Sequence, residues 1–359
     1  MPDSRREMGI HLPVLRYGKP SGPLLEQKAS FFRENDNLQS NRARICALYT
    51  EQPKRERCIN CNAPLRGLAF EKLKVEYVGC ANCGHLNGAH EETDTFCAAV
   101  YTDERGASYA REYSSKDQEA YDRRVSAIYQ PKAQFLTEVL QTRGEDVTKL
   151  AYADFGSGSG YFVAALLNAG VSNVTGYEVS EHQLALARQM TPRGHFVHHA
   201  LSDVTQIART VQAQVVSMIG VLEHLQRPQE MLQSICSNPQ IRYVYISVPM
   251  FSFSVYLEAA SPEVFHRQLG AGHTHLYTES SLNWMCKAFG FERVGEWWFG
   301  TDIVDLLRHI GIKLGKNPGT EELVGHWYST FSESIDALQL QLDRRRQSSE
   351  VHLVLRCKR

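Results

Sequence analysis

The sequence predicts an α/β fold in which helices cover both faces of a mostly parallel sheet, with a small cysteine-rich module before it. Three observations lead to this prediction. From about residue 149 onward, short apolar segments alternate with helical segments, which is typical of βαβ units. A glycine-rich turn follows the first apolar segment. Upstream of it, four of the nine cysteines form two C-x-x-C pairs.

The composition excludes several classes of protein. The chain has 359 residues, 43% hydrophobic and 22% charged, so it is long enough for roughly two domains and is not mainly disordered. Its 39 Lys and Arg residues balance 40 Asp and Glu residues, which disfavours binding of nucleic acid or anionic membrane through bulk charge. No apolar run reaches the roughly 18 residues of a membrane span, and residues 1–16 lack the apolar core of a secretory signal. We therefore expect a cytoplasmic protein.

Changes in sequence texture divide the chain into four parts. They are an N-terminal helical extension (1–50), a cysteine module (51–95), a helical lid or linker (96–145) and the sheet domain (146–359). Within the cysteine module, Leu73, Val75 and Tyr77 alternate with charged residues, which predicts a strand.

The sheet domain begins with a predicted strand at residues 150–155. The further predicted strands are 173–179, 195–200, 215–222, 241–248, 292–299 and 350–357, and the predicted helices are 161–169, 181–190, 229–237 and 280–289. A helical insert is expected at about 301–346. Its apolar residues at 324, 328, 331, 335, 338 and 342 form one stripe on a helix at 322–345. The stripe predicts packing on its own domain, with a homodimer contact as the alternative.

A glycine-rich turn, Asp154-Phe155-Gly156-Ser157-Gly158-Ser159-Gly160, lies between the first predicted strand and the first predicted helix. Glycines at such a turn let the backbone approach a ligand closely at the helix N-terminus. The spacing departs from the dinucleotide pattern G-x-G-x-x-G, because Tyr161 occupies the place of its third glycine. Glu178 ends the next predicted strand, where its carboxylate can accept hydrogen bonds from both hydroxyls of a ribose.

The turn, Glu178 and the β/α order resemble the class I S-adenosylmethionine (SAM) methyltransferases over residues 146–300 and the last strand. The resemblance implies a Rossmann-like sheet, mostly parallel with an antiparallel last strand, that binds SAM. Asp154 would hold the methionine ammonium, and Asp203 would meet the adenine amino group. The implied cofactor-binding residues are Asp154, Gly156, Ser157, Gly158, Gly160, Glu178, Asp203, Ile219 and Gly220. A nucleotide-sugar or NAD site and a scaffold without ligand are the alternatives.

The cysteine pairs have the spacing C-x2-C-x18-C-x2-C, with ligands Cys58, Cys61, Cys80 and Cys83. Four thiolates at this spacing suit tetrahedral Zn²⁺. Gly84 follows the second pair and allows a tight turn. Because all four ligands come from the protein, the site would be closed and its zinc structural rather than catalytic. A redox motif and coincidence are the alternatives.

A four-cysteine module before a SAM domain resembles bacterial methyltransferases of deoxysugar and surface-polysaccharide biosynthesis. The resemblance implies a sugar or nucleotide-linked sugar as the acceptor. Sugar C-methyltransferases of this group carry a further α/β domain, which we do not expect here, so both oxygen and carbon methylation stay open. The alternatives are an RNA methyltransferase that docks RNA through the zinc module, and a non-catalytic binding protein. Residues 51–85 carry six basic and four acidic side chains, which disfavours the RNA hypothesis.

Methyl transfer to a hydroxyl or an enolisable carbon requires a proton acceptor, and histidine is the usual one at neutral pH. Glu223 and His224 follow the fourth strand, at the edge where open α/β sheets place ligands. The pair resembles the Glu-His pair of many small-molecule methyltransferases. His273 and His275, after the fifth strand, are alternative bases. A metal site that also includes His266 is a weaker hypothesis, because no carboxylate is spaced to complete it.

Overall fold

The computed structural model describes residues 12–27, 29–102, 117–265, 267–269 and 273–358. His266 and the middle of the predicted lid (103–116) lie outside the described residues. The strands are β1 (Val14–Tyr17), β2 (Ala69–Lys72), β3 (Val75–Gly79), β4 (Leu86–Gly88), β5 (Tyr152–Phe155), β6 (Val174–Glu178), β7 (His195–His198), β8 (Val215–Ile219), β9 (Tyr243–Pro249), β10 (His275–Leu276), β11 (Phe291–Phe299) and β12 (Glu350–Cys357).

The helices precede, cover or connect these strands. They are α1 (Gly22–Gln27), α2 (Asn35–Thr50), α3 (Asp94–Cys97), α4 (Gln118–Arg124), α5 (Gln130–Thr142), α6 (Tyr161–Asn168), α7 (Glu181–Met190), α8 (Val204–Thr210), α9 (Pro228–Ser237), α10 (Phe253–Ala260), α11 (Glu279–Ala288), α12 (Asp302–Lys316), α13 (Leu323–Phe331) and α14 (Ile335–Arg344). In the described part of the chain, no helix combines the length and the apolar character needed to cross a bilayer.

The central sheet has eight strands in the order β1-β11-β12-β9-β8-β5-β6-β7. Strands β5 to β9 are parallel, with Tyr152 of β5 beside Val174 of β6 and Val215 of β8. The last strand, β12, runs antiparallel to both neighbours, β9 and β11. This topology confirms the predicted fold class, and it brings the carboxyl ends of β5, β6, β8 and β9 to one edge of the sheet.

Two large apolar clusters pack on the opposite faces of this sheet. One contains Phe135, Phe162 and Trp297, and the other contains Met218 and Trp298. Burial on both faces explains why the parallel strands are continuous apolar runs rather than alternating ones. The two tryptophans are therefore part of the core.

Two local predictions in the first hundred residues are incomplete. The extension predicted as helical does contain α1 and α2, but it also contributes β1, which pairs in parallel with β11 at the sheet edge. The predicted alternation is a strand from Val75 onward: Val75 and Tyr77 lie in β3, and both side chains are buried. Leu73 instead belongs to a hairpin turn, because Leu73 and Lys74, with φ of 50° and 64°, form the two-residue connection between β2 and β3.

The helix predicted at 322–345 is also wrong as a single element. It is two helices, α13 and α14, separated by a 3₁₀ turn at Ser332–Ser334. Serine is a weak helix former, and the break lets Ile335 be buried beside Val304 and Leu307 of α12. Phe331 and Leu338 remain 43% and 48% exposed. The homodimer contact stays a prediction.

Candidate active site

A cavity of about 930 Å³ opens at the carboxyl ends of the parallel strands. Side chains and backbone from residues 155–221 line one part of it, which we call the glycine half. The other part, the histidine half, is lined by Glu223, His224 and His273, by side chains of α2, and by the segment that follows α10. The glycine half is thus built from one continuous stretch of sequence, and the histidine half from separate ones.

The glycine turn has a backbone that other residues rarely adopt. Gly156, Gly158 and Gly160 have φ of 66°, 54° and 80°, all in the left-handed region. A Cβ on Gly156 would lie 2.5 Å from Val221 Cγ2, and one on Gly158 would lie 2.9 Å from the amide oxygen of Gln183. Gly156 and Gly158 line the cavity, whereas Gly160 ends the turn as the N-cap of α6. Ser157 is buried and does not line the cavity.

The Glu178 carboxylate lies at the carboxyl end of β6 and is fixed by three backbone donors. The Gly158 N–H donates to Oε2 at 2.8 Å, and the N–H groups of Val179 and Ser180 each donate to Oε1 at 2.9 Å. Three such bonds fix the orientation of the carboxylate. Because Glu178 lines the cavity while its acceptor positions are fixed, it suits the hydroxyl pair of a ribose.

The other predicted cofactor residues differ in how they face the cavity. Ile219 and Gly220 line it. Asp154 lies below it, 1% exposed, and accepts a hydrogen bond from the Ser217 hydroxyl at 2.6 Å. Burial raises the pKa of Asp154 to about 7, and the residue does not line the cavity. Asp203 is exposed in the 3₁₀ turn after β7 and does not line the cavity.

In the histidine half, Glu223 and His224 lie in a 3₁₀ turn directly after β8. His224 Nε2 is 4.0 Å from Glu223 Oε1. Glu223 is 4% exposed, and in the described structure its Oε2 has no hydrogen-bond partner. Burial raises the pKa of Glu223 to about 8 and lowers that of His224 to about 4. At neutral pH the carboxyl group is therefore protonated and the imidazole is neutral.

His273 lies next to this pair and also lines the cavity. Its ring lies 5.7 Å from the ring of His224, between centroids, and its Nδ1 donates to the carbonyl oxygen of Gln268 at 3.3 Å. Because a carbonyl can only accept, the proton is on Nδ1 and Nε2 is the acceptor nitrogen. Burial, followed by the charges of His224 and Arg42, lowers the pKa of His273 to about 3.

His275, the other candidate base, does not line this cavity. It is 1% exposed in β10, and its Nδ1 lies 2.9 Å from Nε2 of the buried His85. Burial lowers the pKa of both rings. The structure therefore separates the two histidines that the sequence left equivalent: His273 lines the cavity, and His275 of β10 packs on His85, next to β4.

Glu223, His224 and His273 offer three ligand atoms that all lie within 4.8 Å of one another. The metal site considered from the sequence combined His266 with His273 and His275, so it did not include the Glu223 carboxylate. The guanidinium of Arg42 acts on both imidazoles and contributes to lowering the pKa of each, after burial. A fixed positive charge opposes a divalent cation at the same place. The arrangement suits proton transfer better than metal binding.

Sequence reasoning also missed six charged side chains that line the cavity. They are Arg42 and Arg44 on α2, Lys132 on α5, Arg267, Asp305 on α12, and Glu350 at the start of β12. Lys132 Nζ and Glu350 Oε1 form an ion pair at 3.6 Å. These residues are far apart along the chain and belong to no local motif, so only the fold reveals that they share a cavity.

The cysteine cluster has the geometry of a tetrahedral thiolate site. The Sγ atoms of Cys58 and Cys83 are 3.7 Å apart, and those of Cys61 and Cys80 are 3.5 Å apart. Zn–S bonds of about 2.3 Å in a tetrahedron would place sulfurs about 3.8 Å apart. Side-chain amides of Asn60 and Asn87 each donate to a sulfur at 3.5 Å, which stabilises thiolate charge. The four residues fit a zinc ion.

This module packs on the sheet domain. Strand β10 extends the sheet β2-β3-β4 as its fourth strand. Asn60 Nδ2 donates to the Ser281 carbonyl oxygen, and Gln229 Nε2 donates to the Ile59 carbonyl oxygen, both at 3.1 Å. The cysteine module therefore packs directly against the sheet domain.

A mostly parallel sheet with a glycine turn after β5 and a fixed carboxylate after β6 defines a class I SAM-binding domain. Residues 121–295 match the model of a family described as a methyltransferase domain. The match confirms the enzyme class that the sequence predicts: the chain is a SAM-dependent methyltransferase. No curated protein sequence matches the chain.

Solved structures similar to this chain have low sequence identity to it, as two of them show. Magnesium protoporphyrin IX methyltransferase (ChlM) from Synechocystis PCC 6803, with bound SAH, is 16% identical with a TM-score of 0.44, covering 58% of this chain and 94% of that chain. The plantazolicin methyltransferase BpumL, in complex with SAH, is 15% identical with a TM-score of 0.44, covering 73% and 94%. At this level the likeness carries no information about the acceptor.

Proposed function

We propose that the protein transfers the methyl group of SAM to a sugar, nucleotide-linked or a polysaccharide precursor, by O- or C-methylation. The observation that carries the proposal is a single cavity lined both by Glu178 with the glycine turn and by the pair His224 and His273. One ligand held in each half would therefore meet the other. The resemblance of the four-cysteine module to sugar methyltransferases supports a sugar as the acceptor.

When bound, SAM supplies a methyl group on a positively charged sulfur. Gly156 and Gly158 would leave room for its methionine part, and Glu178 would accept hydrogen bonds from its ribose. Ile219 and Gly220 line the space between this site and the histidine half. These residues align the methyl carbon with the acceptor, which is the main requirement of an in-line displacement.

An acceptor that took this methyl group would have to lose a proton. The neutral pair His224 and His273 takes this proton, with Nε2 of His273 as an acceptor nitrogen. Glu223 is protonated at neutral pH and is not the base there. The burial that lowers both histidine pKa values keeps both rings unprotonated over a wide pH range.

We also propose that the four cysteines hold a structural Zn²⁺, which supports the histidine half. Cys46 and Tyr49 of α2 pack on Val75 and Tyr77 of the module. The Tyr49 hydroxyl also donates to the His90 carbonyl oxygen at 2.6 Å. The zinc thus fixes the helix that carries Arg42. Four reduced thiolates also suit the cytoplasm, where we place the reaction.

The geometry favours a small acceptor over RNA. A cavity of about 930 Å³ lies within the range of about 300–1,000 Å³ that is usual for small-molecule sites. Part of the cysteine module is occupied by its contacts with the sheet domain, which leaves less of it to dock a nucleic acid.

Methyl transfer from labelled SAM to a panel of nucleotide-linked sugars tests the proposal directly. We expect one class of sugar to be labelled by the zinc-containing protein, and mass spectrometry to show a gain of one methyl group. Glu178→Ala and His224→Ala should both reduce the label. Labelling of RNA but of no sugar would overturn the sugar assignment and leave the enzyme class intact.

A further inference from the structure

Three arginines line the histidine half, and two of them, Arg42 and Arg267, are partly buried, whereas Arg44 is exposed. Arg42 and Arg267 both line the cavity. No carboxylate of the described residues forms an ion pair with either guanidinium, whereas Lys132 in the same cavity is paired with Glu350 at 3.6 Å. Unpaired guanidinium groups at the wall of a cavity indicate that the missing anion belongs to a ligand.

An aromatic pair holds the two arginines at this wall. Arg42 Cζ lies 5.3 Å from the ring centroid of Phe265, and Arg267 Cζ lies 6.0 Å from that of Phe31. The two rings are 5.8 Å apart, so both guanidinium groups are anchored on one aromatic cluster. The Thr301 hydroxyl also accepts a hydrogen bond from Arg267 Nη2 at 2.5 Å. Cation–π contacts position a guanidinium without using its N–H donors.

The remaining charges around this wall leave it positive. Asp305 lines the cavity, but its Oδ2 accepts from the Ser254 hydroxyl at 2.9 Å, and two guanidinium groups, of Arg267 and Arg308, face it. Arg308 is 3% exposed and lies 5.7 Å from the ring of Phe265. Asp302 acts on Asp305 and Glu258 acts on Arg308, and neither of these two carboxylates lines the cavity. On the cavity wall itself, the guanidinium groups of Arg42, Arg44 and Arg267 outnumber the carboxylate of Asp305. The protein keeps this excess next to His224 and His273, which are neutral.

We propose that Arg42 and Arg267 form an anion subsite that binds the diphosphate of a nucleoside-diphosphate-linked sugar. This inference rests on the proposed function, since it specifies how that site recognises its acceptor. The planar fork of arginine matches phosphate oxygens in a bidentate way, and two forks on one wall suit two linked phosphoryl groups. The adjoining histidines would then meet the sugar that is attached to this diphosphate.

The test measures binding of inorganic pyrophosphate, UDP, GDP and TDP to zinc-containing protein saturated with the demethylated product of SAM, by calorimetry at low salt. We expect at least one nucleoside diphosphate to bind, and its affinity to fall at least tenfold in Arg42→Ala and in Arg267→Ala. Arg42→Lys keeps the charge without the fork and should lose less. Arg33→Ala is the matched control, because Arg33 is exposed nearby and does not line the cavity. Affinity for the SAM product should stay unchanged in all four variants.

The outcomes separate this inference from the proposed function. Binding of none of the phosphates, or equal binding by Arg42→Ala and wild type, overturns the subsite even if a sugar is methylated. Arginine-dependent binding of a diphosphate without methylation of any sugar supports the subsite and overturns the sugar function. Competition by glucuronate instead of the phosphates would show that the subsite serves a sugar carboxylate, which also overturns the diphosphate assignment.

Discussion

The two halves of the cavity are built in different ways. The glycine half comes from β5 to β8 and the turns that follow them, and it is held by the core of the sheet. The histidine half combines α2, the turn after β8 and the segment after α10, and a separate apolar cluster joins it to the cysteine module. The first half depends on one local sequence pattern, and the second depends on the assembly of distant segments.

This difference implies that the two halves can fail independently. Loss of the cysteine module would remove the support of α2, while the sheet and its glycine turn would keep their own core. Conversely, a change at Glu178 would affect the turn and leave the arginines and histidines in place. The predictions that follow compare binding in one half with chemistry in the other.

The largest expected effect is that of Cys83→Ser. Removal of one thiolate should release the zinc and disorder the module, because metal binding supplies the folding free energy of such modules. The displaced α2 should then reduce methyl transfer by at least about 100-fold, the cost of misplacing reacting groups by about an ångström. Affinity for SAM should change by less than about threefold. Zinc analysis, a transfer assay and calorimetry measure the three quantities.

Cys236→Ser is the matched control for this change. Its thiol lies outside the cluster and donates to the Phe289 carbonyl oxygen at 3.2 Å, a bond that serine can keep. Zinc content and activity should therefore stay at the wild-type level. If Cys83→Ser lost SAM binding as completely as activity, the halves would not be independent.

A second prediction concerns the chemistry of the histidine half. His224→Ala and His273→Ala should each lower kcat by about 100-fold or more, the usual contribution of a positioned proton acceptor. SAM affinity should not change, because neither ring belongs to the glycine half. His182→Ala, at an exposed position on α7, should behave as wild type. Equal kcat in His224→Ala and wild type would assign the proton transfer to His273 alone.

In the glycine half, Glu178→Ala should weaken SAM binding by about 2 kcal/mol, the value of hydrogen bonds to a charged group, which is about 30-fold. Glu178→Gln keeps one acceptor oxygen and should lose less. Glu181→Ala changes an exposed carboxylate at the start of α7 and should have little effect. Calorimetry with SAM distinguishes them. Unchanged affinity in Glu178→Ala would remove this residue from the ribose site.

The contrast between the halves also explains what the sequence could predict. The bounds of α7 and β12 agree with the predicted 181–190 and 350–357, because apolar periodicity within one segment specifies each of them. The glycine turn and Glu178 could be predicted as well, because the spacing of the glycines and the place of Glu178 at the end of a strand are both local features of the sequence. Arg42 and Arg267 could not, because their proximity depends on packing between α2 and the segment after α10. The same holds for β1, since a four-residue edge strand carries too short a pattern to identify.

The smallest expected effect is on the pH dependence of kcat/KM. It tests whether the histidine half is as shielded from solvent as the structure indicates. Burial, followed by the charge of Arg42, lowers the pKa of His224 to about 4. The neutral ring therefore persists well below pH 6.5, and kcat/KM should change little between pH 7 and pH 5.5. A histidine at its ordinary pKa of about 6.5 would lose about eightfold over that interval.

The stability of the protein has to be measured alongside this profile. A histidine whose folded pKa lies below its unfolded value stabilises the fold fully above about pH 6.5, and this contribution is lost as the pH falls toward 4. Arg42→Ala removes a positive charge that disfavours protonation of His224. The acid limb of the kcat/KM profile of this variant should therefore move to higher pH. Arg33→Ala should leave the limb where it is. A wild-type acid limb near pH 6.5, with the fold intact, would mean that His224 is solvated, and the base would then have to be sought outside the histidine half.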